Sequence, residues 1–292
     1  MTLPNFLLIG AQKSGTTWLA AMLAQHPDVF SPETKELHFF DLVDHYARGL
    51  GWYEAQFEDF AGEKAIGEAT PNYLGISCEV PADAHRAMEA HGIDATRLPR
   101  PYPNTHDDIA DLTHRALPDA RLIVVLRDPV DRAISSYFHH VRMRRVPPTR
   151  RILEACIENG ILSMGFYHTH LQRWLRLYPR DRLLVLFYER DIRQNARRTL
   201  TRTFEHLGVR DDFEPQSQDR ALNERSSDPF MFARYYAPMW ARWAFRVAPA
   251  LHRLPYPSLA IRSEERRALQ EIYAGDNARL AELLDCPLDF WS

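Results

Sequence analysis

The sequence contains few cysteines, and their spacing is not that of a metal site or a redox pair. Its 292 residues include three, Cys78, Cys156 and Cys286, which lie far apart and form no C-x-x-C motif. A dispersed, odd-numbered set argues against a zinc module and a redox dithiol. It favours a reducing compartment, and we predict a cytoplasmic protein.

Long apolar stretches and a strong charge imbalance are also missing. The chain has no run of about 18 apolar residues, and no basic segment followed by a secretory apolar stretch opens it. A net charge of −3 gives no general attraction to nucleic acid or to an anionic membrane. We therefore expect no membrane span and no nucleic-acid partner.

The length and the 45% hydrophobic content are sufficient for one substantial core. We predict a single domain over residues 1–292, without internal repeats. Residues 75–105 contain four prolines and little periodicity, which indicates an insertion. Residues 211–262 are irregular but rich in aromatic residues, which is typical of a lid or satellite core near an acceptor.

Alternating strand and helix patterns predict an α/β fold, with a P-loop NTPase-like parallel sheet flanked by helices. Short apolar runs predict buried strands at Phe6–Gly10, Ala65–Ala69, Leu122–Leu126 and Leu183–Phe187. Apolar residues at helical spacing predict one helix that starts after Pro129 and continues to Val141. Further helices are predicted at 107–116, 166–177, 191–206 and 264–284.

The first predicted strand leads into a glycine-rich loop, GAQKSGTT at residues 10–17, and then into a helical pattern. Gly10 and Gly15 have the spacing of a Walker A motif, but Thr16 occupies the lysine position and the lysine is found earlier, at Lys13. Such a loop presents backbone N–H groups to an anion. It predicts phosphate binding and weakens the case for an ATP-dependent kinase.

A second predicted anion site follows the third strand. Arg127 comes at the carboxyl end of that strand, where open α/β sheets bind ligands, and Ser135 follows on the next helix. An arginine fork and a hydroxyl group there suit a second phosphate. Pairing of Arg127 with Asp128 or Asp131 is the alternative interpretation.

The two sites together resemble the PAPS-dependent sulfotransferases, whose donor carries a 5′-phosphosulfate and a separate 3′-phosphate. Three further motifs resemble the heparan sulfate sulfotransferase branch and its bacterial relatives: KELHFFD at 35–41, EATPNY at 68–73 and GFYHTHLQRWL at 165–175. Animal enzymes of that branch carry a lysine where this chain has Ala69, and a later Lys-Gly-Arg segment that this chain lacks. Arg225 or Arg262 is a conceivable substitute for that late contact.

The resemblance implies a role for each motif. The loop residues Lys13, Ser14, Gly15, Thr16 and Thr17 would hold the 5′-phosphosulfate, and Arg127 with Ser135 would hold the 3′-phosphate. Lys13 would stabilise charge on the leaving oxygen, and the product would be PAP. Glu36 matches the catalytic glutamate, and we predict it as the general base, with a pKa raised by burial against Phe39 and Phe40. A surface ion pair of Glu36 with Lys35 or Lys64 is the alternative interpretation.

The acceptor is predicted to be a small metabolite or a glycan that contacts the same region. The candidate acceptor-binding residues are Glu36, His38, Asp41, Thr70, Asn72, His139 and Arg142, with His38 also assigned to catalysis. Arginines 142, 144, 145, 150 and 151 either attract an acidic acceptor or form a solvated helix end. Histidines 139, 140, 168 and 170 are expected near the cleft, at spacings that do not predict a metal site.

Two other functions remain open at this point. A P-loop kinase would use ATP and Mg²⁺ and would need a lysine beside the second loop glycine, where this chain has Thr16. A nucleotide-binding protein without turnover would not need Glu36 or Lys13.

Overall fold

A computed structural model describes residues 2–75, 80–97, 108–216, 235–236 and 259–291. Its centre is a five-stranded, entirely parallel sheet in the order β2-β3-β1-β4-β5. The strands are β1 Phe6–Gly10, β2 Val29–Phe30, β3 Ala65–Ala69, β4 Arg121–Leu126 and β5 Leu183–Phe187. The predicted α/β class and all four predicted strands are confirmed, with β4 one residue longer at its start.

The strands read as continuous apolar runs because both faces of the sheet are covered. Leu7 and Ile9 of β1 pack into the cluster that contains Trp174, whereas Leu8 packs on the opposite face with Trp18 and Phe204. β2 was not predicted, since two residues paired with Ala65 and Ile66 leave no recognisable run.

Ten helices are described in these residue ranges. They are α1 Thr16–Leu23, α2 Val43–Tyr46, α3 Leu50–Ala55, α4 Ala82–Ala90, α5 Ile109–Ala116, α6 Pro129–Arg142, α7 Ile152–Ala155, α8 Tyr167–Leu177, α9 Ala196–Leu207 and α10 Ser263–Leu284. The helix after Pro129 and four further predicted helices are present. The one predicted from 191 begins only at Ala196, because Tyr188–Arg193 forms a π-helical segment first.

The segment predicted as an irregular insertion contains a helix that the sequence pattern did not reveal. Helix α4 buries Ala84 and Met88 against Leu269 and Ile272 of α10, in a second hydrophobic cluster beside α6. Asp83 also accepts a 3.0 Å hydrogen bond from Arg279. Residues 76–79 and 98–107 of this segment, and most of the predicted lid at 211–262, lie outside the described residues.

The sheet brings the chemistry-bearing motifs to a single edge. The glycine-rich loop follows β1, Thr70 follows β3, Arg127 follows β4 and Tyr188 follows β5. Since the carboxyl ends of parallel strands lie at the same edge, these residues are adjacent although they are distant in sequence. In the part of the chain that is described, no helix is long and apolar enough to cross a membrane.

Candidate active site

The glycine-rich loop closes between β1 and the start of α1. Gly15 has φ +94°, and α1 begins at the next residue, Thr16. The first amides of a helix have no intrahelical carbonyl to bind, so they point into the loop as anion donors. A Cβ atom at Gly15 would lie 2.9 Å from Tyr188 Cδ2, so the close approach of that ring also requires glycine.

Lys13 lies inside this loop and is half-buried. Burial lowers the pKa of Lys13, and the positive charges of Arg142 and Arg127 lower it further. These three cations therefore lie close enough to repel one another. A multiply charged anion among them would relieve the repulsion, which suits a site for a phosphosulfate.

Arg127 occupies the end of β4 and reaches the loop, because its Nη1 donates a 3.2 Å hydrogen bond to the Lys13 carbonyl oxygen. Its guanidinium lies 5.0 Å from the centre of the Tyr188 ring. The buried Nε–H group makes no hydrogen bond to any described residue. The Arg127 side chain as a whole is 23% exposed, so part of its guanidinium is accessible to an anion from solution.

The alternative interpretation, that Arg127 pairs with a neighbouring aspartate, is confirmed in part, because Asp131 forms a long ion pair with it. Asp128 caps α6 instead, accepting hydrogen bonds from the amides of Val130 and Asp131. Asp131 is 2.9 Å from Arg266 and 3.9 Å from Arg127. Ser135 is half-buried on α6, as predicted.

Glu36 lies in the loop after β2, between the side chains of Lys35 and His38. Its Oε1 is 3.1 Å from Lys35 Nζ, and its Oε2 is 3.6 Å from His38 Nε2. The hydrogen bond from His38 lowers the pKa of Glu36 to about 2, against the opposing effect of burial. The predicted rise in pKa is therefore wrong: Phe39 and Phe40 pack into an aromatic cluster with Tyr53, and cations determine the ionisation of Glu36.

His38 connects Glu36 to a buried carboxylate. His38 Nδ1 is 2.8 Å from Asp41 Oδ2, which also accepts a 3.2 Å hydrogen bond from Asn72 Nδ2. Burial disfavours the imidazolium, but the bonds to Asp41 and Glu36 outweigh it and raise the pKa of His38 to about 10. Asp41 and Asn72 thus hold the His38 side chain beside Glu36.

Asp41 and Thr70 were predicted to bind the acceptor, but their side chains support the loop after β2. Asp41 is 1% exposed and Thr70 is fully buried, so neither side chain is accessible to an acceptor. Thr70 donates to Glu68, and its Oγ1 accepts from the amide of His38. Both residues hold the loop that carries Glu36 and His38.

The last turn of α6 contributes His139 and Arg142 to the same region. His139 Nδ1 lies 3.5 Å from Arg142 Nη2. Burial, with the nearby charges of Lys13 and Arg142, lowers the pKa of His139 to about 4. The imidazole of His139 is therefore neutral and within electrostatic range of Lys13, and acceptor binding by His139 and Arg142 stays a prediction.

The other arginines and histidines that were predicted near the cleft are paired with other residues, exposed on the surface or buried. Arg150 pairs with Glu158 and Arg151 with Glu265, while Arg144 and Arg145 are exposed at the end of α6. His140 is buried in α6, His168 lies beside Asp276, and His170 bonds the Ser163 carbonyl oxygen. Arg262 is exposed and pairs with Glu264, whereas Arg225 lies outside the described residues.

Three residues of the site were not among the predicted site residues, although the pairing of Glu36 with Lys35 was the alternative interpretation and is present at 3.1 Å. Lys35 Nζ donates a 2.9 Å hydrogen bond to Thr17 Oγ1, so it joins the glycine-rich loop to Glu36. Glu189 Oε1 accepts from the Asp128 amide and lies 4.0 Å from Arg127 Nε. Trp291 Nε1 donates to Glu189 Oε2. The signal for Glu189 was its position directly after β5, but nothing in the sequence indicates that Trp291 reaches it.

Comparison with known proteins relates this geometry to one family. Residues 3–239 match the family model described as sulfotransferase domain. A membrane-associated sulfotransferase, kil1 of Dictyostelium discoideum, is 32% identical over 54% of this chain and 28% of its own length. Heparan sulfate glucosamine 3-O-sulfotransferase 6 of Homo sapiens is 31% identical over 64% of this chain and 47% of its own length. This chain thus spans less than half of each.

The fold has a counterpart among solved structures. A sulfotransferase from Alicyclobacillus acidocaldarius superposes with a TM-score of 0.69 and 24% identity, covering 100% of this chain and 99% of the other. At that identity the likeness concerns the fold, which is the P-loop NTPase-like architecture predicted from the sequence.

Proposed function

The chain belongs to the sulfotransferase domain family, and we propose that it transfers a sulfuryl group from PAPS to a hydroxyl group of a small metabolite or a glycan. The observation that carries the proposal is the arrangement around Lys13. Lys35 joins the cationic loop that contains Lys13 to the Glu36 carboxylate, because its Nζ lies 2.9 Å from Thr17 Oγ1 and 3.1 Å from Glu36 Oε1. Sulfuryl transfer needs these two functions on opposite sides of the sulfur atom.

The donor-binding residues fit the two anionic groups of PAPS. The loop from Lys13 to Thr17 and the start of α1 would bind the 5′-phosphosulfate, while Arg127 and Ser135 would bind the 3′-phosphate. The exposed part of the Arg127 guanidinium supports this assignment. PAPS, when bound, supplies the sulfuryl group and leaves as PAP; no step of the proposal uses a metal ion.

In the proposed reaction the acceptor oxygen attacks sulfur as the bond from sulfur to the phosphate oxygen breaks. The acceptor proton moves to Glu36, and Lys13 stabilises the charge that develops on the leaving oxygen. Glu36 is ionised in the resting protein, since its pKa is about 2. We infer that the donor anion competes for Lys35, which would raise the basicity of Glu36 when it is needed.

The acceptor itself is proposed only by class. The human relative is named for a 3-O-sulfation of heparan sulfate glucosamine, which supports a hydroxyl acceptor. Ala69 replaces the lysine that the animal enzymes carry in this motif, so a less anionic acceptor is favoured. Action in the cytoplasm stays a prediction from the sequence.

The test measures PAP release from PAPS with a panel of hydroxyl acceptors, together with PAP, ATP and AMP affinities by calorimetry. Glu36→Gln should reduce kcat by about a hundredfold or more while PAP affinity is unchanged. Glu33→Gln, an exposed glutamate of the same segment, is the matched control. Preference for ATP with magnesium would favour a kinase, and binding of PAP without any turnover would favour a nucleotide-binding protein.

A further inference from the structure

Glu68 is a charged residue in the middle of the buried strand β3, where only 3% of its surface is exposed. A buried carboxylate is costly unless hydrogen bonds compensate for lost water. None of the roles described above uses this side chain. Its partners therefore indicate what it does.

Four donors surround the Glu68 carboxylate. Oε1 accepts hydrogen bonds of 2.8 Å from the hydroxyl groups of Tyr53 and Tyr73. Oε2 accepts from the Thr70 hydroxyl and, at 3.2 Å, from the backbone amide of Leu37. Burial raises the pKa of Glu68, and these hydrogen bonds oppose that rise.

Two of these hydroxyl groups also accept hydrogen bonds from the loop that carries Glu36. The amide of His38 donates to Thr70 Oγ1 at 3.4 Å, and the amide of Phe39 donates to the Tyr73 hydroxyl at 2.9 Å. Glu68 thus holds three consecutive backbone amides of the loop. It holds that of Leu37 directly, and those of His38 and Phe39 through the Thr70 and Tyr73 hydroxyl groups.

The loop needs such support because its backbone is unfavourable. Glu36 has φ +64° and His38 has φ +54°, which place two residues with side chains in the left-handed region. That conformation costs free energy for any residue except glycine and persists only where surrounding contacts impose it. The side chains that depend on it are the predicted general base and its cationic partner.

We propose that Glu68 is a positioning residue, whose carboxylate fixes the amides of residues 37–39 and thereby sets the orientation of Glu36 and His38 toward the acceptor. The inference rests on the proposed transfer reaction for its kinetic consequence. Its structural consequence, an anchored loop, is independent of any substrate.

Tyr73 and Tyr53 provide a matched pair for the test. Both are fully buried and both donate to Glu68 Oε1 at the same distance, but only Tyr73 also holds a loop amide. Tyr73→Phe and Tyr53→Phe should lower Tm by similar amounts, since each loses one hydroxyl group. Tyr73→Phe should reduce kcat about tenfold with unchanged PAP affinity, and Tyr53→Phe should stay within about twofold of the parent.

Amide hydrogen exchange at Leu37, His38 and Phe39 gives a readout without substrate. Exchange should accelerate at least tenfold in Tyr73→Phe and in Glu68→Gln, and remain near the parent rate in Tyr53→Phe. Equal exchange and equal kcat in the two tyrosine variants would overturn the proposal. Absence of transfer from PAPS by the parent protein would count against the proposed function alone, because the exchange comparison would still decide the role of Glu68.

Discussion

His38 Nε2 lies 3.6 Å from Glu36 Oε2, so the proposed general base has a cationic partner in the resting protein. The partnership moves both pKa values away from neutrality, to about 2 for Glu36 and about 10 for His38. Both groups are therefore charged throughout the physiological range. The stability of the fold depends on pH through each of them, with opposite signs.

For His38 we expect the stabilising contribution to be lost at high pH. A group whose pKa is raised on folding stabilises the protein fully below its unfolded value, 6.5 here, and loses that effect as the pH rises toward 10. The Tm of the parent should exceed that of His38→Gln by a few degrees near pH 6. Thermal unfolding should show that difference shrinking as the pH approaches 10.

Glu36 has the opposite dependence, since its pKa is lowered from 4.5 to about 2 and its contribution is lost as the pH falls between those values. Above pH 6 the contribution of Glu36 to stability no longer changes with pH, so measurements there report the contribution of His38. His114→Gln, which removes a histidine packed on Tyr178, controls for the loss of an imidazole elsewhere. A Tm difference for His38→Gln that is constant with pH would contradict the expectation.

The strands and the glycine-rich loop were predictable because local sequence determines them. A run such as Phe6–Gly10 can only be a buried segment, and the glycine spacing that follows it specifies a tight loop. Helix α4 was not predictable, since only Ala84 and Met88 mark its buried face and their partners lie on α10, far along the chain.

The ionisation of Glu36 was mispredicted for a related reason. Its neighbours Phe39 and Phe40 suggest an apolar environment, but the left-handed backbone at His38 brings an imidazole to the carboxylate instead. No pattern of residue types reveals that turn. A glutamate inside an apolar strand was visible at Glu68, and the sequence thus contained a signal that a buried polar network was present.

Lys35 should couple donor binding to the basicity of Glu36. Its Nζ bonds Thr17 Oγ1 at 2.9 Å and lies 3.1 Å from Glu36 Oε1. Lys35→Met keeps the aliphatic stem but removes these contacts. We expect the KM for PAPS to rise about tenfold, the value of one charge-assisted hydrogen bond to the donor, with kcat within about twofold of the parent because Glu36 is already free of Lys35. Steady-state kinetics over a range of PAPS concentrations provide the measurement. Lys64→Met is the control, as Lys64 is 62% exposed and pairs with Asp28; an equal rise in KM in both variants would exclude the coupling.

Arg127 should distinguish PAP from AMP, which lacks the 3′-phosphate. Its guanidinium has a buried Nε–H without a hydrogen-bond partner among the described residues. We expect Arg127→Ala to weaken PAP binding about 10- to 100-fold, as for one charge-assisted contact, and AMP binding by less than about twofold. Calorimetry gives both affinities. Arg176→Ala breaks the ion pair with Asp111 of α5 and should leave the affinities for PAP and AMP unchanged. Parallel losses for PAP and AMP would remove Arg127 from the 3′-phosphate site.

Glycine should be required at position 15 for two reasons: the positive φ of the backbone and the close approach of the Tyr188 ring. Gly15 and Gly49 both precede a helix at positive φ, +94° and +79°, but a Cβ at Gly15 meets Tyr188 at 2.9 Å whereas a Cβ at Gly49 meets nothing within 4 Å. Alanine should cost about 1–2 kcal/mol of stability at Gly15, which is left-handed, and about 1–3 kcal/mol at Gly49, whose ψ of 167° lies in a region that glycine alone populates. Only Gly15→Ala should also displace Tyr188 and weaken PAP binding by about tenfold or more, because Tyr188 carries the Arg127 guanidinium on its ring. If calorimetry finds the same PAP affinity in both variants, the contact between Gly15 and Tyr188 does not shape the donor site, and the requirement for glycine is one of backbone conformation alone.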